Sequence, residues 1–173
     1  MKIPCISVMQ PHAQLIALGA KAIETRSRDF TGGYRGPLGI QASKRFPRDN
    51  QRLCYTVRAF RSVLEPHLGE RIMVPEKTLP LGCIVAVGDL VDVVRIGAMT
   101  SDITVPMARH LGYLWLSIYD AACQRELAFG DYTPGRYMYL LKNVVALPKP
   151  IPARGRLGLW SFEMEDPRGS SHA

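Results

Sequence analysis

The segment from Cys83 to Val94 constrains the fold more than any other part of the sequence. It is rich in β-branched residues and is apolar at nearly every position until Asp89 and Asp92. A strand buried on both faces has this pattern, whereas a half-exposed strand alternates apolar and polar residues. We therefore expect a central strand of a sheet, with its far end exposed.

Further strands and helices are predicted on both sides of this segment. Pro11 suits the first position of a helix, Gly19 suits the left-handed residue that ends it, and Pro66 is expected to close a second helix. The periodicity predicts strands at 5–9, 21–26, 38–43, 137–147 and 159–164, and helices at 10–19, 49–65 and 104–122. Several short strands with helices between them indicate an α+β barrel, although the pattern leaves the topology open.

The composition is that of one globular domain. Of the 173 residues, 47% are hydrophobic, and at this length roughly 70% of the unfolded chain's surface can be buried. No stretch approaches the ~20 apolar residues that cross a bilayer, and the N-terminus lacks the apolar core of a signal peptide. We expect a single domain over 1–165, a disordered tail over 166–173 with too little apolar content to pack, and a cytoplasmic protein without membrane contact.

The cysteines and histidines give no sign of a metal or redox site. Cys5, Cys54, Cys83 and Cys123 are widely spaced, with no Cys-x-x-Cys pair, and the four histidines occur singly. An even count of cysteines permits two disulfides, but nothing indicates a secreted context. Gly-rich phosphate loops and nucleophile elbows are also lacking. We expect buried free thiols, no metal and no cofactor.

Positive charge is concentrated in the first part of the chain. The formal net charge is +7. Residues 1–71 hold 12 basic and 5 acidic residues, whereas residues 72–173 hold 10 of each. A second basic run, from Arg136 to Arg156, contains no acidic residue. If the two basic segments lie on one face, they would form a surface that binds a polyanion. The alternative is that these charges are solvated and keep the protein soluble.

One short strand carries the strongest site signal. Alternation places Glu24 and Arg26 on one face and Ile23 and Thr25 on the other. Lys21 stands where a helix ends, so its ammonium could complement the carbonyl end of that helix. In a cleft, Lys21, Glu24 and Arg26 would offer two cations and one acceptor, which suit phosphate oxygens and the amino edge of a base. An exposed Glu24–Arg26 ion pair would add only about 0–1 kcal/mol to stability, and the structural role of Lys21 at the helix end is the alternative to this binding role.

Several motifs, taken in their order along the chain, resemble the ASCH family. They include a Gly-x-Lys-x-x-Glu-x-Arg core and lie at 7–11, 19–26, 34–38, 42–44, 88–92, 130–136 and 155–160. This resemblance implies a PUA-like mixed β-barrel with flanking helices, similar to the RNA-binding domain of pseudouridine synthases and archaeosine transglycosylases, with a cleft beside the barrel. It also implies a ligand that is RNA, DNA or a modified nucleoside.

Residues from several segments are predicted to bind this ligand. Gln10, at a strand-to-helix junction, is placed either to receive a phosphate or base carbonyl or to cap the helix. Tyr34 could stack on a base, as could Trp160, for which core packing is the expected role. The resemblance places the turn 130–136 near the cleft, while a solvated surface side chain is the alternative for Lys44. The candidate ligand-binding residues are Gln10, Lys21, Glu24, Arg26, Tyr34, Ser43, Lys44, Asp131 and Arg136.

The resemblance also implies two enzymatic alternatives. Small members of the family include an amidohydrolase that removes acyl groups from acylated cytidine, and a ribonuclease. The amidohydrolases use a Lys, a Thr three residues later and a distant Glu. Lys21 matches the first, but Glu24 stands in place of the Thr, and Thr25 is expected on the opposite strand face.

We therefore predict a domain with a basic cleft around Lys21, Glu24 and Arg26 that binds nucleic acid or a modified nucleotide. RNA is the favoured nucleic acid. The alternatives are a hydrolase acting on a modified base and a ribonuclease, in which Lys21 and Glu24 would be the catalytic residues. Because the expected hydroxyl nucleophile is missing beside Lys21, we expect little or no hydrolysis of N4-acetylcytidine.

Overall fold

Six strands form one mixed sheet in the computed structural model, which describes residues 1–168. The strands are β1 (Lys2–Val8), β2 (Ile23–Arg26), β3 (Gly36–Ala42), β4 (Cys83–Arg95), β5 (Tyr137–Pro152) and β6 (Leu159–Glu163). Their order across the sheet is β2-β5-β4-β3-β1-β6. β1 and β3 run parallel, and the other neighbouring pairs are antiparallel.

Helices lie in three of the connections between the strands, those from β1 to β2, from β3 to β4 and from β4 to β5. Within residues 1–168 they are α1 (His12–Ala17), α2 (Arg48–Thr56), α3 (Arg58–Leu68), α4 (Pro75–Thr78), α5 (Ser101–Leu111) and α6 (Ala121–Ala128), with a 3-10 helix at Gly69–Met73. In this described part of the chain, no helix has the length and apolar character needed to span a membrane. The combination of one mixed sheet with several helices confirms the expected α+β class.

The central strand predicted at 83–94 is confirmed. β4 pairs with β3 on one side and with β5 on the other. Its first six residues are buried, and exposure rises from Val91 onwards. The apolar run thus crosses the middle of the sheet, and the end that carries Asp92 projects towards solvent.

Closure of the sheet into the predicted barrel is not confirmed. Among the described residues, β2 pairs only with β5, and β6 pairs only with β1. The sheet nevertheless curls enough to bring β2 to β1, because the Arg26 Nη1 donates a 2.8 Å hydrogen bond to the carbonyl of Ser7. We call this junction, where a side chain rather than a backbone ladder joins β1 and β2, the seam.

The helix predicted over 49–65 is two helices. Val57 has an extended backbone (φ −95°, ψ 116°) and separates α2 from α3. The expected core face is retained, since Phe60 and Leu64 are both buried. Pro66 does not close α3 as predicted. It lies inside the last turn, where it removes one hydrogen bond, and the helix ends at Gly69, with φ 56°.

The helix predicted over 104–122 is wrong in its second half. α5 ends at Leu111 and is capped by Gly112, which adopts the left-handed conformation with φ 82° that only glycine takes readily. In the loop that follows, Leu114 and Trp115 are exposed. The helical spacing of apolar residues there does not mark a core face.

The buried thiols and the core position of Trp160 are as predicted. All four cysteines are free and buried, and burial raises the pKa of Cys5 and Cys54 to about 11. Trp160 is 8% exposed and packs edge-to-face with Phe162, with ring centroids 6.4 Å apart.

The predicted tail over 166–173 is described only as far as Arg168. The guanidinium of Arg168 lies 2.6 Å from carboxylate oxygens of Asp89 and Asp166, so this position contacts the sheet. The remaining part of the predicted tail, 169–173, lies outside the described residues.

Candidate functional site: a pocket at the seam

A pocket of about 510 Å³ lies at the seam between β1 and β2. Its volume falls within the roughly 300–1,000 Å³ that small-molecule sites occupy. We call it the seam pocket. Its walls combine aromatic rings with polar side chains: Phe30, Phe60, Phe129, Ser7, His12, Glu24, Thr25, Arg26, Ser27, Asp131 and Arg136.

Three short segments bring these side chains together. β1 ends at Val8 and the chain turns directly into α1, which places His12 at the start of that helix beside the strand end. Strand alternation in β2 turns Glu24 and Arg26 to the same side. The loop after α6 closes the pocket from the other side, where the Asp131 N–H donates a 3.0 Å hydrogen bond to the Thr25 Oγ1.

The carboxylate of Glu24 lies between two cations. The Lys21 Nζ is 3.6 Å from its Oε2, and the Arg26 Nη1 is 3.7 Å from its Oε1. Both distances are longer than a hydrogen bond, and within residues 1–168 no group donates a hydrogen bond to this carboxylate. Glu24 lines the pocket with a side chain that is 10% exposed. It therefore presents unused acceptor positions to a ligand, and its negative charge is offset by Lys21 and Arg26.

Lys21 is a buried cation behind the pocket rather than part of its lining. Its Nζ donates hydrogen bonds to the carbonyls of Ile23 (2.5 Å) and Phe129 (2.8 Å). Phe129 caps the C-terminus of α6, so the ammonium complements the carbonyl end of a helix. That is the structural role considered from the sequence, but the helix is α6 rather than α1. Lys21 thus fixes Glu24 and the loop after α6.

Arg26 holds the seam and still has donors for a ligand. One nitrogen, Nη1, donates to the Ser7 carbonyl, and the guanidinium carbon lies 5.9 Å from the centroid of the Phe30 ring, within cation–π range. A guanidinium has five N–H donors. Since Nε and Nη2 have no acceptor among the described residues, Arg26 can bind the acceptor edge of a ligand.

His12 is a pocket residue that sequence analysis missed. Its ring packs edge-on against Phe60, with centroids 5.3 Å apart. Burial lowers the pKa of His12 to about 4, an effect that the Glu24 charge opposes and the Lys21 charge assists. The imidazole is therefore neutral at pH 7 and can donate or accept a hydrogen bond without adding charge. A single histidine without a spaced partner gives no sequence signal for such a role.

Thr25 does not face away from the site as predicted, since it also lines the seam pocket. The reason is that β2 is an edge strand, and the turn 130–136 wraps around it and extends the pocket to its second face. In that turn the Arg136 Nε lies 3.3 Å from the Asp131 Oδ2. Hydrogen bonds from Thr133 lower the pKa of Asp131, so the Asp131 carboxyl group is ionised at neutral pH.

Gln10 lies outside the seam pocket although it was predicted to bind the ligand. Its side chain is fully buried. The amide oxygen accepts a 3.0 Å hydrogen bond from the Gln14 N–H in α1, and the amide nitrogen donates to the carbonyl of Pro80 at 2.9 Å. The N-cap of α1 is Pro11, and the Gln10 side chain supports the start of this helix by accepting from the Gln14 N–H, which is close to the capping alternative that the sequence left open.

The remaining predicted residues lie on other surfaces. Tyr34 packs against the core, and its hydroxyl donates a 2.6 Å hydrogen bond to the carbonyl of Pro37, so it does not face the seam pocket. Ser43 and Lys44 line a neighbouring groove together with residues 152–157. The structure thus brings Glu24, Arg26, Asp131 and Arg136 together in one pocket, with Lys21 directly behind Glu24. The other predicted side chains, Gln10, Tyr34, Ser43 and Lys44, do not line this pocket.

Glu126 lies in the interior near Lys21 and outside the pocket lining. Its Oε1 accepts a 2.8 Å hydrogen bond from the Ala22 N–H, and its Oε2 is buried without a hydrogen-bond partner within residues 1–168. Burial raises its pKa. Its place behind β2 gives it a role in supporting the strand that carries Glu24.

No protein-family model and no curated protein sequence matches the chain. Among solved structures, it is similar to the crystal structure of ASCH from Zymomonas mobilis, with 15% sequence identity, a TM-score of 0.48, and coverage of 92% of this chain and 87% of that one. A Tyr-to-Phe mutant of the Zymomonas mobilis protein gives 15% identity, a TM-score of 0.46, and coverage of 94% and 91%. Both are ASCH domains, the family that the sequence motifs resemble.

Proposed function

We propose that the seam pocket binds a nucleobase that carries an exocyclic amino group, as part of RNA or of a modified nucleotide. The observation behind this proposal is the Glu24 carboxylate, which faces the pocket with unused acceptor positions between two cations. The amino groups of cytosine, adenine and guanine are donors, and a carboxylate that accepts from cytosine N4 is a recurrent pairing. The free N–H groups of Arg26 suit the ring acceptor beside the amino group.

The other pocket walls support a flat, partly polar ligand. Stacking of a base on an aromatic side chain contributes about 1–3 kcal/mol and tolerates any base, and Phe30 stands half-buried at the pocket wall beneath Arg26. The neutral His12 adds a hydrogen-bonding group without charge. Recognition of single-stranded RNA commonly combines stacking with hydrogen bonds to the Watson–Crick edge of the base.

Binding of short homopolymer strands of C, A and U tests the proposal. We expect C and A strands to bind more tightly than U strands, because uracil has no amino group. One good base contact contributes about 1–3 kcal/mol of discrimination, so Glu24→Gln should reduce the preference by about 5- to 150-fold. Glu76→Gln, an exposed position on α4 outside the pocket, is the matched control for the charge change. Equal binding of all three strands, or the same preference in both variants, would refute the proposal.

A second candidate function is hydrolysis, favoured by the hydroxyls of Ser7, Thr25 and Ser27 and the neutral His12 in the same pocket. Glu24 would act as a general base towards a water molecule. Lys21 is not available as its partner, since both the burial of its side chain and its two carbonyl acceptors hold it behind the pocket.

A chromatographic assay separates the two functions. Purified protein is incubated with N4-acetylcytidine and, in parallel, with an RNA strand, beside the Glu24→Gln and His12→Asn variants. Cytidine or cleaved RNA that disappears with Glu24→Gln would establish a hydrolase. Intact substrates together with Glu24-dependent binding would support the binding function.

A further inference from the structure

A second concave surface adjoins the seam pocket. It has a volume of about 990 Å³ between the end of β3 and residues 152–157, which comprise the last residue of β5 and the segment after it, and it shares Ser7 and Leu157 with the seam pocket. We call it the basic groove. Its cations are Lys44, Arg45, Arg154 and Arg156. The two basic segments of the sequence therefore meet here.

The cations of the basic groove differ from those of the seam pocket in having no acidic partner. All four are exposed, none takes part in an ion pair between described residues, and no acidic side chain from that part of the chain lines the groove. Arg26 and Arg136 in the seam pocket, by contrast, each lie beside a carboxylate. Four uncompensated positive charges in one concavity create a potential that attracts a polyanion.

Ser7 forms the wall between the two sites. Its carbonyl accepts the hydrogen bond from Arg26 of the seam pocket at 2.8 Å. Its hydroxyl donates to the carbonyl of Arg156 in the basic groove at 3.2 Å and accepts from the Trp160 Nε1 at 3.3 Å. One residue at the end of β1 therefore links the guanidinium of one site to the backbone of the other, which fixes their spacing.

The segment that carries two of the arginines lies unusually close to the sheet. A Cβ atom at Gly155 would stand 2.4 Å from the Gln41 Oε1 and 2.5 Å from the Ser7 Oγ. Any larger residue at this position would require the Gln41 or Ser7 side chain to shift, and the segment places Arg154 and Arg156 in the lining of the groove. The Gln41 Oε1 itself is buried without a hydrogen-bond partner among residues 1–168, and unsatisfied acceptors of this kind are uncommon in folded proteins.

We infer that the basic groove binds the phosphates of the nucleotides next to the one whose base occupies the seam pocket. The ligand is then a single-stranded nucleic acid rather than a free nucleoside. This inference rests on the proposed function of the seam pocket. A strand that leaves the pocket passes the shared rim at Leu157, an 89% exposed leucine that offers apolar surface to a base or ribose, and enters the field of the four cations.

The salt dependence of strand binding measures the number of phosphates contacted. Each contact to a single strand contributes roughly 0.7 to the slope of log affinity against log salt, so four contacts predict a slope near −2.8, and Arg154→Gln/Arg156→Gln should reduce it by about 1.4. The measurement is fluorescence anisotropy with a labelled strand of mixed sequence between low and moderate salt. The matched control is Arg109→Gln/Arg125→Gln, which removes the same charge from α5 and α6, outside both sites.

The outcomes separate the groove from the pocket. Equal slopes for the two double variants would overturn the inference, as would displacement of the strand by polyglutamate as effectively as by unlabelled strand. If the groove variant keeps the wild-type slope while Glu24→Gln loses base preference, the groove inference fails and the pocket function stands. If the slope falls but base preference never depended on Glu24, the phosphate site stands and the pocket function fails.

Discussion

Replacing Lys21 by Met should destabilise the protein strongly, because Met keeps the length of the side chain and removes the charge. The ammonium is fully buried, donates to the carbonyls of Ile23 and Phe129, and lies 3.6 Å from the Glu24 carboxylate. Removing one partner of a buried pair costs about 3–5 kcal/mol, since the remaining charge stays without compensation. Arg26 still offsets part of the Glu24 charge, so we expect a loss near the lower end of that range.

Urea unfolding followed by circular dichroism measures this loss. In a thermal melt of this chain of 173 residues, each 1 kcal/mol lowers Tm by about 2–4 °C, so a loss of about 3 kcal/mol should place the Tm of Lys21→Met roughly 6–12 °C below that of the wild type. The control is Lys77→Met, at an exposed position on α4, which should change the unfolding free energy by about 0.5 kcal/mol or less.

A small effect of Lys21→Met would refute the reasoning. A loss below about 1 kcal/mol is typical of an exposed ion pair. It would mean that the ammonium is accessible from the seam pocket, and Lys21 would again be a candidate for direct contact with the ligand.

Three further predictions concern the surroundings of the site. His12 has a pKa of about 4 against an ordinary 6.5, so its contribution to stability is complete above pH 6.5 and is lost as the pH falls towards 4. His12→Gln should remove this part of the pH dependence of the unfolding free energy. An unchanged pH profile in the variant would contradict the prediction. Gly155→Ala should lower the unfolding free energy by about 1–3 kcal/mol through overpacking, because the new Cβ would meet Gln41 and Ser7, and it should also weaken binding of the nucleic-acid strand. An unchanged urea midpoint would argue against the close approach of this segment to the sheet. Cys5 and Cys54, with pKa raised to about 11 by burial, should react with Ellman's reagent at pH 8 only after unfolding, so prompt reaction of either thiol in the native protein would contradict their burial.

The strands could be predicted from the sequence because their signals are local. The apolar run of β4 and the alternation in β2 need no information about distant residues. The end of α5 also had a local signal in Gly112, but the apolar spacing beyond it at Leu114 pointed to a longer helix. Closure of a barrel depends on how far the whole sheet curls, and no local pattern records whether β2 pairs with β1.

The site was predictable only in part, for the same reason. Alternation brings Glu24 and Arg26 to one side of β2. One of the two carbonyl partners of Lys21, however, belongs to Phe129, 108 residues away in sequence, so the structural role of Lys21 depends on tertiary packing. Thr25 reaches the pocket only because a distant turn wraps around β2, and His12 becomes a neutral pocket residue through its burial against Phe60.

The central claim is that Glu24 accepts hydrogen bonds from the amino edge of a base held in the seam pocket. A crystal structure of the protein with a short cytidine-containing strand tests this most directly. We predict the exocyclic amino nitrogen within about 3.2 Å of a Glu24 carboxylate oxygen, with Arg26 donating to the neighbouring ring acceptor. A base bound elsewhere, for example against the exposed rings of Trp115 and Tyr119, with the seam pocket empty, would contradict the claim.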